Sequence, residues 1–339
     1  MTTPLLNEAS NTPVLVTGAT GFVAGWLIKR LLGAGAVVHA TVRDPANTAK
    51  LAHLQAMADA SPGTIKFFKA DLLDVGSHTE AMAGCEIVFH TASPFLAPFN
   101  VKDPQRDLID PALQGTRDVL ESVNATKTVR RVVLTSSCAA IFGEAADVAK
   151  APGGILTEAV WNTTSSLTKN PYSYSKTLAE QAAWALAKAQ DRWNLVVVNP
   201  ALIIGPGTAP TQTSASFDYV RMIGDGTFKD GVPAFQIGMV DVRDVAEAHF
   251  RAAFVEAADG RNIVFAEVLG LGDLAGMLKA AFGDAWPFPA DTAPPAGIPA
   301  WKADNGRSRT ILGIDYRPVR TAVVEMFQQL IDSGVVKRA

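Results

Sequence analysis

Over the first two hundred residues, short apolar runs rich in β-branched residues alternate with longer segments of helical spacing. Val14–Val16, Val37–Val42, Ile65–Lys69, Ile87–His90, Val132–Leu134 and Leu195–Val198 read as buried strands, and Gly25–Leu32 and Lys50–Met57 as helices between the first three. Strands that alternate with helices predict βαβ crossovers and a parallel sheet covered on both faces. The predicted class is therefore α/β, a doubly wound parallel (Rossmann) sheet. After Asn199-Pro200 the pattern changes: Ile204-Gly-Pro-Gly207 breaks it, Thr208–Phe235 is loop-rich with a short helical piece at Tyr219–Ile223, and Val240–Ala253 returns to strand, turn and helix. Trp286–Pro299 is proline-rich, and Thr321–Val336 reads as a terminal amphipathic helix. The expected division is a dinucleotide-binding core of 1–204 with 237–256, and a smaller substrate-binding region of 205–236 with 257–339 that closes one side of a pocket.

Composition narrows the picture. With 48% hydrophobic and 19% charged residues the 339-residue chain can bury a large core. A net charge of −3 leaves no basic excess for phosphates, so nucleic acid is not the expected partner. Cys85 and Cys138 form no CxxC and sit in no Cys/His cluster, so neither a metal site nor a disulfide framework is expected. Met1–Thr12 lacks the basic and apolar regions of a signal peptide, and no stretch nears the roughly 20 apolar residues of a membrane span. A cytoplasmic enzyme acting on a small molecule, with no membrane partner, is the expectation. The pattern is equally compatible with a monomer and a homodimer.

Chemistry enters at Thr17-Gly-Ala-Thr-Gly-Phe-Val-Ala24, which follows the first strand and opens the first helix. Gly18 permits a tight turn and Gly21 a close backbone approach to a pyrophosphate, which the helix N-terminus attracts through its free N–H groups and dipole. Thr20, Phe22 and Val23 belong to the same turn. The spacing is GxxGxxA, with Ala24 where small size lets helix and strand pack. The second strand ends in Arg43, without the carboxylate that grips ribose hydroxyls in NAD binders. A guanidinium there suits the 2′-phosphate of NADP, with Lys50 as a second cation; the competing reading pairs Arg43 with Asp44.

Asn170-Pro-Tyr172-Ser-Tyr-Ser-Lys176 starts a helix, with Tyr172 and Lys176 four residues apart on one face. An ammonium beside a phenol is expected to lower its pKa and fit Tyr172 to act as an acid toward a developing alkoxide. Tyr174 lies two residues from Lys176 and faces elsewhere. Leu134-Thr-Ser136-Ser137 ends an apolar strand, where open α/β sheets bind ligands. By spacing alone Ser136 and Ser137 are alternatives for holding a substrate oxygen.

Gly18xxGly21xxAla24, Arg43-Asp-Pro45, Asp71-Leu72, His90-Thr-Ala-Ser93, Ser136-Ser137, Tyr172xxxLys176 and Asn199-Pro200-Ala-Leu-Ile-Ile-Gly-Pro206 occur in the order of an extended short-chain dehydrogenase/reductase. Within that family the chain resembles the branch of dihydroflavonol reductases, cinnamoyl-CoA reductases and aldehyde or ketone reductases. The resemblance implies Ser137, Tyr172 and Lys176 as the catalytic set, with Tyr172 and Lys176 also contacting the cofactor, Lys176 at the nicotinamide ribose. It implies NADP(H) as cofactor, with Arg43 and Lys50 at the 2′-phosphate and Asp71 and Leu72 at the adenine. Thr91, Ala92 and Ser93 then line the cofactor, and Pro200, Leu202 and Ile203 pack near the nicotinamide. Gln114 stands where the family often has asparagine, which leaves a fourth polar group of a proton relay without its usual residue. The run around Tyr172 differs from the cinnamoyl-CoA reductase signature, so a CoA thioester is not the expected substrate.

The expected reaction is reduction of a small aldehyde or ketone. Ser93, Phe95, Phe99, Ser137, Phe142, Tyr172, Phe217 and Met222 are the candidate substrate contacts, with Tyr219 and Phe235 nearby, enough aromatic surface for an apolar pocket. Cys138 reads as packed core, since no histidine is placed to activate it. Two other readings share the fold. A nucleotide-sugar epimerase or dehydratase would favour NAD, against Arg43, and a non-catalytic NADP sensor would not need the Tyr172–Lys176 pair.

Overall fold

The direction of successive side chains along the first strand explains the layers. In β1 (Val14–Val16) all three side chains are buried, yet Val14 and Val16 belong to one apolar cluster and Leu15 to another. Successive strand residues point to opposite faces, so a strand buried throughout needs cover on both sides. The computed structural model describes residues 13–93, 101–290 and 301–338. One face of the sheet is covered by α1 (Phe22–Gly33), α2 (Thr48–Asp59) and α7 (Val242–Phe254). The other is covered by α3 (Thr79–Met82), α4 (Asp110–Ala125) and α5 (Pro171–Lys188).

The sheet has seven strands in the order β3-β2-β1-β4-β5-β6-β9. Besides β1 these are β2 (Val37–Val42), β3 (Thr64–Lys69), β4 (Ile87–His90), β5 (Arg131–Thr135), β6 (Asn194–Pro200) and β9 (Gly260–Val264), and every pairing is parallel. The order reverses at β1, between β2 and β4. In open α/β sheets that switch point opens the ligand crevice at the carboxyl ends of the strands.

A second sheet runs β10-β8-β7, from β7 (Leu202–Ile204), β8 (Gln236–Asp241) and β10 (Glu267–Gly270). It packs with α6 (Ala215–Gly224), α8 (Leu271–Phe282) and α10 (Val319–Asp332) around Val220, Leu274, Leu278, Met326 and Phe327. The short α9 (Gly306–Thr310) lies beside β9.

Three elements depart from the sequence reading. Gly260–Val264, expected in the C-terminal region of 257–339, is the seventh strand of the main sheet; the polar Arg261 and Asn262 inside it hide the apolar run. Leu202–Ile204, expected in the main domain, pairs with β8 in the small sheet. Helix α4 went unread because Gly115, Thr116, Asp118 and Ser122 take half of its buried positions and interrupt the apolar pattern of Ala112, Val119, Leu120 and Val123. Phe95 and Phe99 lie outside the described residues.

Candidate active site

The glycine turn is built as its residue types require. Gly18 has φ +66°, and a Cβ there would lie 2.9 Å from the Ala92 Cβ, so the position excludes a side chain on both counts. Its N–H reaches Thr41 Oγ1 at 3.3 Å and the Ala19 N–H reaches the Thr41 carbonyl at 3.0 Å. The turn is thereby fastened to the end of β2, two residues before Arg43. Thr17 fastens it on the other side: its Oγ1 accepts from the N–H of Thr91 and of Ala92, at 3.1 and 3.0 Å, and contacts His90 Nδ1 at 3.0 Å. The Thr91 hydroxyl in turn donates to the Thr17 carbonyl over 2.6 Å. His90 is enclosed, and burial, with repulsion from His78 and Lys176, brings its pKa to about 3, so the imidazole is neutral.

Helix α1 starts at Gly21 with no side-chain cap and no acid in its first turn. Its first N–H groups and dipole end are thus left facing the β1/β4 crevice. A cradle closed to any Cβ, a bare helix N-terminus and the exposed cations Arg43 and Lys50 fit a phosphate-bearing dinucleotide. Asp44 uses its Oδ1 on the Ala46 N–H at 3.0 Å, and the Lys50 N–H is held by Asn47 Oδ1 at the start of α2. Asp71 uses a carboxylate oxygen on the Leu73 N–H, at 3.0 Å, while half-buried Leu72 packs against Gly115 of α4. Gln114 donates to Asp118 one turn along α4, at 2.7 Å.

Helix α5 carries the candidate pair, Tyr172 and Lys176. Asn170 takes the left-handed conformation before it (φ 52°) and bonds the Gly143 carbonyl through its amide at 2.7 Å. Pro171 then occupies the first turn, where its missing N–H costs nothing. This entry aims Tyr172 back at the end of β5, where its hydroxyl is hydrogen-bonded to Ser137. One turn on, the Lys176 ammonium donates to Ser93 Oγ at 2.8 Å and lies 5.9 Å from the Tyr172 ring centre. Ser137, Tyr172, Lys176 and Ser93 thus converge at the carboxyl ends of β4 and β5.

The serines separate here. Ser136 is buried and donates to Glu180 Oε2 at 2.5 Å, whereas Ser137 meets Tyr172 and its Oγ also accepts the Ala139 N–H. The electrostatics differ from the sequence expectation. Tyr172 keeps a partly exposed edge, but most of the ring is enclosed, and burial pushes its phenol up to about 12 against the pull of the Ser137 hydrogen bond. Burial brings Lys176 down to about 8, with Glu180 acting in the opposite sense. Desolvation therefore decides the state of the phenol, and Tyr172 is protonated throughout the neutral range.

Of the other predicted contacts, Pro200 is buried at the end of β6, and Leu202 and Ile203 are half-buried in β7. Phe142 is half-buried against Trp301, with ring centres 5.8 Å apart, and Met222 is half-buried on α6. Phe217 is 4% exposed and packs edge-on against Phe22, centres 5.4 Å apart. Both rings belong to the core of the C-terminal region, because the helical phase of α6 and α1 turns them inward. Burial also pushes the Cys138 thiol well up, which makes it inert. The sequence reading missed Thr17, Thr41, Glu180 and Arg261. Glu180 was visible as an acid one turn beyond Lys176, while Arg261 meets it from 81 residues away.

Residues 14–265 match the model of the NAD dependent epimerase/dehydratase family. The chain belongs to that family. Among its relatives is "Cinnamoyl-CoA reductase CAD2" of Medicago truncatula, 36% identical over 323 residues, which are 94% of this chain and 95% of the relative. The fold is shared with yeast methylglyoxal/isovaleraldehyde reductase Gre2, solved with NADPH: TM-score 0.81, 26% identity, 96% of this chain and 100% of that one. Gre2 of Candida albicans, also an NADPH complex, has TM-score 0.80 and 30% identity over 95% of this chain and 99% of that one. These similar proteins carry reductase names and are close to this chain in length. Among the described residues no helix is long and apolar enough to cross a membrane, and no cluster of three or more His, Cys, Asp or Glu is placed to hold a metal ion.

Proposed function

We propose that this chain is an NADPH-dependent reductase of small, hydrophobic or aromatic aldehydes and ketones. The observation that carries the reading is the Ser137–Tyr172 hydrogen bond, with Lys176 one helical turn away at the carboxyl ends of the strands. When bound, the reduced nicotinamide supplies a hydride to the carbonyl carbon. Tyr172, protonated at neutral pH, gives its phenolic proton to the carbonyl oxygen as negative charge develops there. Ser137 holds the same oxygen from the other side. Lys176, charged below about 8, stabilises the phenolate left behind.

Arg43 and Lys50 are exposed beyond the glycine turn and supply the charge for a 2′-phosphate. The NADPH complexes of the two Gre2 reductases support that cofactor. Phe142 and Met222, both half-buried, offer apolar surface for the substrate's organic group.

The test is NADPH and NADH consumption by the purified protein against a panel of aldehydes, aryl ketones and diketones. The reading expects turnover that prefers NADPH. No turnover with either cofactor, together with a tightly co-purifying nucleotide, would point instead to epimerase or dehydratase chemistry.

A further inference from the structure

Behind Lys176 lies a buried charge that the reaction does not consume. Glu180 is 1% exposed and sits one turn further along α5. Four donors from four elements converge on its carboxylate: Ser136 Oγ after β5 at 2.5 Å, Asn199 Nδ2 of β6 at 2.8 Å, Arg261 Nε of β9 at 2.6 Å and Trp184 Nε1 of α5 at 3.2 Å. Asn199 also donates to the Ser137 carbonyl, at 3.2 Å. The Ser137 peptide is thus gripped at its carbonyl and, through Ser136, from its preceding residue, both by groups bonded to one carboxylate.

Arg261 extends the clamp. Its remaining N–H groups reach the carbonyls of Ala140, Glu158 and Val160 at 3.2, 2.9 and 2.5 Å, and its guanidinium lies 4.0 Å from the centre of the Trp161 ring. The stretch that follows Ser137 is therefore tied to the same ion pair. A buried ion pair adds little net stability, because desolvation of both charges offsets their attraction. Its product here is geometry.

We infer that Glu180 is a positioning residue of this site: through Ser136, Asn199 and Arg261 it holds Ser137 opposite Tyr172, and it sets a negative charge one turn from the Lys176 ammonium. The inference rests on the reductase reading for its kinetic consequences. The groups facing Lys176 are Glu180 and Tyr172 on its own helix, His90 of β4 and Ser93 beyond it. Glu180 raises the lysine's pKa and neutral His90 carries no charge to oppose it. Around the Glu180–Arg261 pair stand Glu158, its carboxyl raised by burial, and un-ionised Cys138.

The experiment compares Glu180→Gln with the double variant Glu180→Gln/Arg261→Gln. The single variant strands the Arg261 charge and is expected to lose Tm; the double variant removes that charge and recovers most of it. Both are expected to lose about 10²-fold in kcat, the cost of a misplaced reacting group, with KM for NADPH and carbonyl little changed. In both, the alkaline limb of the pH profile moves to lower pH. Recovery of kcat along with Tm in the double variant, or an unmoved limb, overturns the inference and leaves a merely structural ion pair. A wild type that reduces nothing would sink the reductase reading instead. The inference is then read without turnover, from an NMR titration of ¹³Cε-labelled lysine assigned by Lys176→Met. Lys176 titrating at lower pH in Glu180→Gln supports it, and an unchanged transition overturns it.

Discussion

The Lys176 ammonium donates to the Ser93 hydroxyl across 2.8 Å, and this bond joins helix α5 to the segment leaving β4. The sheet's switch point and the helix of the reacting pair are thereby held as one unit. Ala92, next to Ser93, is the residue that forbids a side chain at Gly18. The glycine turn and the helix that carries Tyr172 thus share a wall. That arrangement makes each half of the site separately testable.

Lys176→Met is expected to affect activity and stability in opposite directions. In the wild type the rate should hold through neutral pH and fall as pH rises through about 8, where the ammonium is lost. The folded pKa lies below the usual 10.5, so the unfolded chain binds the proton more tightly. The lysine therefore costs stability below about 8, and this cost fades as pH rises toward 10.5. Thermal unfolding at pH 7 should show Lys176→Met more stable than wild type by on the order of 1–3 kcal/mol, with the gap closing by pH 10. A variant less stable than wild type at pH 7 would contradict the burial argument.

Ser137→Ala removes the partner of the Tyr172 hydroxyl. It should lower kcat by about 10–10²-fold, with loss of roughly 1 kcal/mol of stability from the N–H of Ala139 that Ser137 caps. Steady-state kinetics with a denaturation curve checks both. Ser136→Ala is a different lesion, because that hydroxyl binds Glu180 and not the tyrosine.

Arg43→Ala should reduce the preference for NADPH over NADH by about 10–100-fold, the equivalent of one charge-assisted, bidentate contact. The ratio of kcat/KM for the two cofactors measures it. An unchanged ratio would mean that Arg43 is a solvated cation.

Gly18→Ala places a methyl 2.9 Å from the Ala92 Cβ at φ +66°. The expected cost is about 1–3 kcal/mol in stability, with weaker nucleotide binding by fluorescence titration. Intact binding in a stable variant would show that the turn can relax.

Much of this architecture was legible in the chain, for reasons tied to particular residues. Val37–Val42 and Ile87–His90 contain no Asp, Glu, Lys or Arg, and the structure begins and ends these strands at the predicted residues. The turn at Gly18 and the helix entry at Asn170-Pro171 announce themselves because few residue types adopt those backbone conformations. Strand β9 was hidden because Arg261 and Asn262 read as surface until Glu180 and the Val197 carbonyl are seen to receive them. Phe217 was read as a pocket residue because composition cannot tell which side of α6 faces Phe22. The Tyr172 pKa was misjudged for a related reason: spacing reveals the nearby lysine but not the enclosure that pushes the phenol up.

The most direct measurement is NADPH-dependent turnover of an aromatic aldehyde by wild type and Tyr172→Phe side by side, with the NADPH Kd of each. The account predicts turnover by the wild type, a loss of at least about 10²-fold in the variant and a Kd little changed, since the hydroxyl group is all that is removed. Equal turnover by the two proteins would contradict it.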